Sequence, residues 1–546
     1  MRLTEPDFKD SPNKSSYDAV IIGGGHNGLV ASAYLAKEGF KVLVVERRPV
    51  LGGAAATEEV FPGFRVNTGA NDAGSFLPEI VDDLNLENFG LQFIESRVVV
   101  FALQPDGDSL VLWRDPERAA QEIALFSKAD AGRYSNFLNE VGRMTEVLEA
   151  IRTLPPPTLP DYNAPDLLPW FRVALKLRGM GVEDMMNFMR VLPMPAADFL
   201  DEWFESPLLK AALGTSAVMG SMQGPRASGT ALMLLYQALG AGEAGIRASK
   251  FVRGGMGSLS EALARSARQH GVEICTGQSV SRIVLDGNRA TGVVLESGEI
   301  IAAQAVISST DPRHTFFDLV GPSHLAVRFV REVKNIRFRG STARLNLVLD
   351  QLPQFTALAE TGRAADPGTV LSGHTLICPD LDYLERAYDD AKYGRISQRP
   401  CLDFVIPTIL DDSLAPGREH LMSIDVRYAP YRLSDGDWQT QRGDLSDKVI
   451  ETLSAYAPGL RKLVLHQQTI TPMDFEVEYG LPEGGIYHGQ MGLDQLLFMR
   501  PVPGAGRYRT PVESLYLCGA GTHPGGGVTG APGHNAAREI LRDLYS

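Results

Sequence analysis

Apolar positions fall in short bounded runs, and near both ends of the chain they alternate between strand-like and helix-like spacing. Tyr17 to Ile22 is an apolar, β-branched run, the pattern of a buried strand. Leu29 to Lys37 reads as a helix closed by Gly39, and Lys41 to Val45 as a second apolar strand. "RGGMGSLSEALARSARQHGVEI" (253–274) opens a further helix. A β-rich meander follows, with "DGN" and "SGE" as its turns, and ends in a buried strand at Ala305 to Ser308. Late in the chain, Leu515 to Leu517 is a short strand, and a helix starts between Gly530 and Gly533 and runs through Leu544. The stretch 81–244 is helix-rich, and within 168–181 Trp170, Val173, Ala174 and Leu177 share one helical face while Arg172 and Lys176 share another.

Glycine breaks this pattern at two places. Gly23, Gly24, Gly25 and Gly28 lie between the first strand and the first helix and contain G-x-G-x-x-G. Gly23 permits the tight turn, Gly25 lets backbone approach a pyrophosphate, and Gly28 lets helix and strand pack closely. The helix start offers free N–H groups to phosphate. Glu46 follows the second strand and can accept hydrogen bonds from a ribose diol, so the unit reads as a dinucleotide site. The second place is Gly519 to Gly533, with seven glycines in fifteen residues. Gly519 and Gly521 would let the backbone pass a flat ring. The helix beyond would turn a positive dipole end toward the edge of that ring, with Val528, Thr529 and Gly530 at that edge.

Composition narrows the classes. A chain of 546 residues, 44% hydrophobic and 22% charged, is ordinary globular material for two to four domains. A net charge of −14 speaks against nucleic acid as partner. The four cysteines form neither C-x-x-C nor a zinc spacing, so no metal site is expected, and with no second G-x-G-x-x-G the chain is not an NADPH–disulfide enzyme. Residues 1–15 are polar and read as a disordered tail without a targeting pattern, which implies a cytoplasmic protein. No apolar run is long enough to cross a bilayer. The basic stretch "VRFVREVKNIRFRG" (327–340) and the 168–181 helix are either solvated faces or a peripheral membrane contact. Eight of fifteen methionines fall between Met180 and Met233, as core filling or as the wall of an apolar channel.

"GGGHNGL", "GGMGSL" and "RTPVESLYLCGAGTHPGGG" together resemble the phytoene desaturase-like family of FAD-dependent oxidoreductases, relatives of the flavin amine oxidases. The resemblance implies an α/β fold. A Rossmann-type FAD-binding domain would be assembled from 16–80, 245–320 and 500–546. A second, α+β substrate domain with a helical cap would come from 81–244 and 321–499. It implies FAD as cofactor, with Gly52, Gly53 and the basic neighbour Arg47 around its phosphates and ribityl chain, and the backbone of Val280 beside its adenine. Many relatives carry arginine directly after the glycine pair, where this chain has Ala54. The implied activity is hydride removal from a C–H bond of a small apolar, isoprenoid- or carotenoid-like substrate. Amine oxidation, which would need an aromatic cage, and a non-catalytic lipid-binding role on the same scaffold are the alternatives. No residue declares itself catalytic, and the oligomeric state stays open. His26 and His534 are expected to bond loop backbone, His523 has a weaker claim to a direct role, and Cys518 reads as a buried apolar residue rather than a flavin tether.

Overall fold

The first apolar run forms the strand Ser16–Ile22 in the computed structural model, which describes residues 12–157, 164–360 and 366–545. It pairs in parallel with Val42–Val45 on one side and with Ile300–Ser308 on the other. Glu273–Cys275 extends the sheet beyond Val42–Val45, and Leu515–Leu517 adds in parallel to Ile300–Ser308. The antiparallel strands Val280–Asp286 and Arg289–Leu295 complete seven. Both faces are covered, as a parallel sheet requires. Ala19 and Ile21 face a core shared with the helices His26–Lys37, Met256–Gln269 and Ala531–Tyr545, while Val20 and Ile22 face a second core with Phe316 and Phe338.

A second seven-stranded sheet runs Val464–Ile470, Thr342–Leu349, His420–Arg427, Leu402–Val405, His374–Ile377, Val98–Leu103, Ser109–Trp113. Its strands are antiparallel except where His374–Ile377 meets Val98–Leu103. Alternation divides its central strands. Leu345, Leu347, Phe404, Ile424 and Val426 enter the largest core, which they share with Phe137 and Val141 of the helix Lys128–Arg152. Thr342, Arg344, Asp425 and Arg427 alternate with them and face the other way, toward the first sheet.

Several expectations meet their structural outcome here. Of the 1–15 tail, residues 1–11 lie outside the described residues; beyond them the Asn13 amide donates to Glu273 and the Ser15 carbonyl accepts from Ala302, so chain order begins before the first strand. In Ala164–Gly179, Val173 is buried and Trp170 and Leu177 pack on the core, but Ala174 is exposed. Leu168, Phe171 and Leu175 are exposed as well, followed by Val182, Met186 and Met189 on the next helix, Val182–Val191. Of the methionines between 180 and 233 only Met219 lines the central cavity, so the rest form no channel wall. In the basic stretch Arg328 pairs with Glu332 and Arg337 with Asp494, as on a solvated face. No helix among the described residues is long and apolar enough to cross a membrane.

Candidate functional site

A cavity of about 530 Å³ lies between the two sheets, and its wall runs from Gly23 and Gly25 to Gly527 and Val528. The amino-terminal loop is shaped by close approach. Gly23 has φ +97°, and a side chain on Gly28 would overlap the Gly23 carbonyl, so Gly28 holds helix against strand. Gly25 is different. Its φ of −67° suits any residue, and a Cβ there would meet nothing of the protein nearer than Ser309 Oγ at 4.0 Å. That space belongs to the cavity. The helix His26–Lys37 starts at this point with no side chain capping it, so its first N–H groups are left for a ligand.

Glu46 stands at the end of Val42–Val45 on the cavity wall. Its two carboxylate oxygens accept from the Gly24 amide (2.7 Å) and the Arg48 amide (2.8 Å). Each keeps a lone pair free for a hydroxyl. The Glu46 carbonyl accepts from Gln278, which carries Ser279 and Val280 onto the same wall. Gly24 itself is packed from behind, its Cβ position 2.6 Å from Leu51, and it contributes its amide to Glu46 rather than a surface to the cavity. Gly52 and Gly53 line the cavity, with φ +108° and +59°. Arg47 lines the cavity beside them, and one nitrogen of its guanidinium is also held by the protein. Its guanidinium donates to the carbonyls of Val477 (3.3 Å) and Glu478 (2.8 Å) at the end of the helix Pro472–Tyr479, where a cation is favoured by the helix dipole. Arg48 is held too: it grips Glu58 at 2.7 Å and lies 4.4 Å from the Tyr479 ring centre.

The carboxy-terminal wall uses its glycines for protein contacts. A Cβ on Gly519 would come 2.5 Å from the Ser309 carbonyl, and one on Gly521 2.6 Å from Pro312. These two let the segment lie against the 309–312 loop, and Ala520 between them faces the cavity, which corrects the expectation that they make room for a ring. Val528 lines the cavity. Thr529 caps the last helix through Ala531 N (3.2 Å), and Gly530 (φ +71°) is packed on Ile80, so both sit behind the wall. A side chain on Gly533 would overlap the Asn27 carbonyl, which fixes the first turn of Ala531–Tyr545 on the first turn of His26–Lys37.

Four histidines of this region are held below the usual imidazole range. Burial pushes His26 and His523 down to about 4, and burial with Arg500 and His26 pushes His488 down to about 3. His26 bonds the Gly527 backbone, as expected of it. His534 does not bond loop backbone; its ring packs on Tyr34 and stands 3.5 Å from Glu79. His523 donates Nε2–H to the Ile151 carbonyl, away from the cavity. Cys518 is buried, its thiol pushed up to about 12 by burial. His26 Nε2 and His488 Nδ1 are buried polar atoms on cavity-lining residues, and neither has a hydrogen-bond partner in the protein.

The opposite wall is the polar face of the second sheet. Asp403 accepts from Arg247 and Arg427 (both 2.8 Å, on Oδ2) and from His374 Nδ1 (2.9 Å, on Oδ1). His374 Nε2 lies 3.1 Å from Asp72. Both imidazole nitrogens thus face carboxylates, an arrangement that needs both to carry protons. Burial and Arg247 work against that proton, but Asp403 and Asp72 outweigh them and hold His374 above its usual range. Burial raises Asp403, and Arg247, His374 and Arg427 overcome it and hold the carboxyl well below its usual range. Arg344 binds Asp425 through Nε (3.0 Å) and Nη2 (2.5 Å), and the Asn67 carbonyl and Asn71 through Nη1.

Residues 28–541 match the family model of flavin containing amine oxidoreductases. The chain belongs to this family. It is 38% identical to a rat pyridine nucleotide-disulfide oxidoreductase domain-containing protein 2 over 97% of this chain and 94% of that one. It is 29% identical to a limonene dehydrogenase subunit of Castellaniella defragrans, over 96% and 95% of the two chains. Among solved structures, putrescine oxidase with bound putrescine superposes with a TM-score of 0.60 at 14% identity, covering 97% of this chain and 99% of that one, which shows the shared fold.

As a flavin containing amine oxidoreductase the chain is an FAD-dependent oxidoreductase, and its residues fit the cofactor. The open space at Gly25, the uncapped helix start, the Glu46 carboxylate and the partnerless ring atoms of His26 and His488 all meet one cavity. Sequence reasoning missed Ser309, Thr310 and Asp311, which line the cavity next to Gly23. The signal was available: they follow Ile300–Ser308, a strand parallel to the first, and ligands gather at the carboxyl ends of parallel strands. It also missed the charged face. Charged residues alternating with apolar ones look the same in sequence whether the polar side meets solvent or a cavity.

Proposed function

We propose that this flavoprotein removes a hydride from a C–H bond of a largely hydrocarbon substrate, as a dehydrogenase or desaturase rather than an amine oxidase. The observation that carries the preference is charge. Arg247, Arg344, Arg427 and the doubly bonded His374 set four cations against Asp72, Asp403 and Asp425 on the wall facing the glycine segments. An ammonium held against this face would meet excess positive charge. Met219, Ile486 and Val528 supply apolar contact on the same cavity. The names limonene dehydrogenase and phytoene desaturase among the relatives agree with carbon as the site of oxidation.

Bound FAD supplies the hydride acceptor. The chain's part is to bind and orient. The helix start at His26 and the amides around Gly25 would take the diphosphate charge where Ala54 replaces a cation, with Arg47 and Arg48 on the same cavity. Glu46 takes the ribose hydroxyls, and Val280 flanks the adenine. Val528, with Thr529 and Gly530 fixing the last helix behind it, holds the ring edge. Positioning a C–H bond and excluding water lower the barrier without a strong base.

The experiment is anaerobic titration of the FAD-loaded protein, followed by visible absorbance. An unsaturated isoprenoid bleaches the flavin band and a primary amine does not. Bleaching by the amine alone overturns the proposal.

A further inference from the structure

We infer that the substrate carries a carboxylate, and that Arg247 and Arg427 receive it on the polar face of the second sheet. This rests on the dehydrogenase reading and narrows its substrate class from a hydrocarbon to an amphipathic acid.

The argument begins with hydrogen-bond capacity. A guanidinium has five N–H donors. Arg344 spreads its donors over Asp425, Asn67 and Asn71. Arg247 and Arg427 do not. Each gives one N–H, and both give it to the same oxygen, Oδ2 of Asp403. Arg427 Nε is buried without a partner, and so is the hydroxyl of Thr342, its cross-strand neighbour in register. Arg247, Arg427 and Thr342 all line the cavity. Buried guanidinium donors left without acceptors are costly, and each such group in a native protein calls for a reason.

Charge points the same way. Counted over this face alone, four cations meet three carboxylates, one positive charge in excess. A surplus of that kind is costly in a low-dielectric interior unless an anion completes it. Asp403 already holds two arginines and a histidine, so the missing partner is external. A planar carboxylate matches the fork geometry of arginine, two parallel N–H donors to two oxygens. The apolar remainder of the substrate would then extend toward Met219, Ile486 and Val528.

The test measures binding without turnover. Geranate, its primary amide and geranyl phosphate are titrated into the FAD-loaded protein by calorimetry. Geranate binds about 10-fold or more tighter than the amide, the difference expected of charge-assisted hydrogen bonds. Arg247→Met abolishes that preference, and Arg247→Lys, which keeps the charge, retains part of it. Arg247→Met leaves Asp403 with Arg427 and His374, and the unmodified protein alone already decides the question if that variant does not fold. Equal affinity for acid and amide overturns the inference; tighter binding of geranyl phosphate overturns the carboxylate assignment. Geranate that binds tightly but does not bleach the flavin removes the dehydrogenase reading and leaves the anion site standing.

Discussion

The two walls of the cavity are made of different material. The wall on the nucleotide sheet is rich in backbone: glycines, amides and the helix start at His26, with Glu46 and Asp311 as its buried acids. The wall on the second sheet is side chains, with three arginines, two aspartates and a histidine drawn from three strands and two loop segments, and Asp403 behind them. A wall of backbone can be specific for a ligand common to many proteins, because diphosphate and ribose never change. A wall of side chains can be rewritten one residue at a time. This division is the basis on which cofactor is proposed for one side and substrate identity for the other.

The sharpest way to break that comparison is Gly25→Val. The new side chain has an allowed φ, and its Cβ meets only Ser309 Oγ, at 4.0 Å, so it projects into the cradle with little cost to the backbone. FAD content falls to background while the melting temperature of the cofactor-free protein stays within about 2 °C of the parent. Visible absorbance of the purified variant and a thermal scan check both halves. Retained flavin would mean that the backbone wall does not read the diphosphate.

Next in size is Asp403→Asn. It strands Arg247, Arg427 and His374 without their shared countercharge, and removing one partner of a buried pair costs about 3–5 kcal/mol. Urea denaturation reads the loss. A change below about 1 kcal/mol would mean that solvent already screens the cluster.

The smallest effect is a drift with pH. Asp403, held below its usual range, contributes stability that is full above the unfolded carboxyl pKa near about 3.9 and is lost as pH falls toward its depressed value. His374, held above its usual range, contributes stability that is full below about pH 6.5 and is lost as pH rises through its raised pKa. The parent melting temperature therefore peaks between about pH 5 and 6.5 and declines on the alkaline side. In His374→Gln the alkaline decline flattens. An unchanged slope in that variant would place the titration elsewhere.

The same division explains what could be read from sequence. Gly28, Glu46 and the helix after Gly530 were legible because backbone geometry restricts residue choice: only glycine fits against the Gly23 carbonyl, and only a short list of residues ends a Rossmann strand facing a ribose. Even there reasons differed from roles. Gly519 and Gly521 were identified as constrained positions, but what constrains them is the loop after Ser308. Arg47 has the expected charge and sits in the expected place, yet a helix end 430 residues later also holds one of its nitrogens. The second sheet was not legible in this way. His374, Asp403 and Arg427 stand at positions 374, 403 and 427 with no motif linking them, and only strand register makes them neighbours. Methionine density left core filling and an apolar channel wall open for the same reason, since density in sequence says nothing about which side a residue faces, and only Met219 of that run lines the cavity.

Because Gly533 can only rest where it does by lying on the carbonyl of Asn27, the cradle is closed by two pieces of chain translated about five hundred codons apart. The nascent amino-terminal unit emerges first and waits, half a clasp. The cavity wall at Gly527 and Val528 is therefore completed only when the last residues are made, and a chain ending before them lacks that side of the cavity.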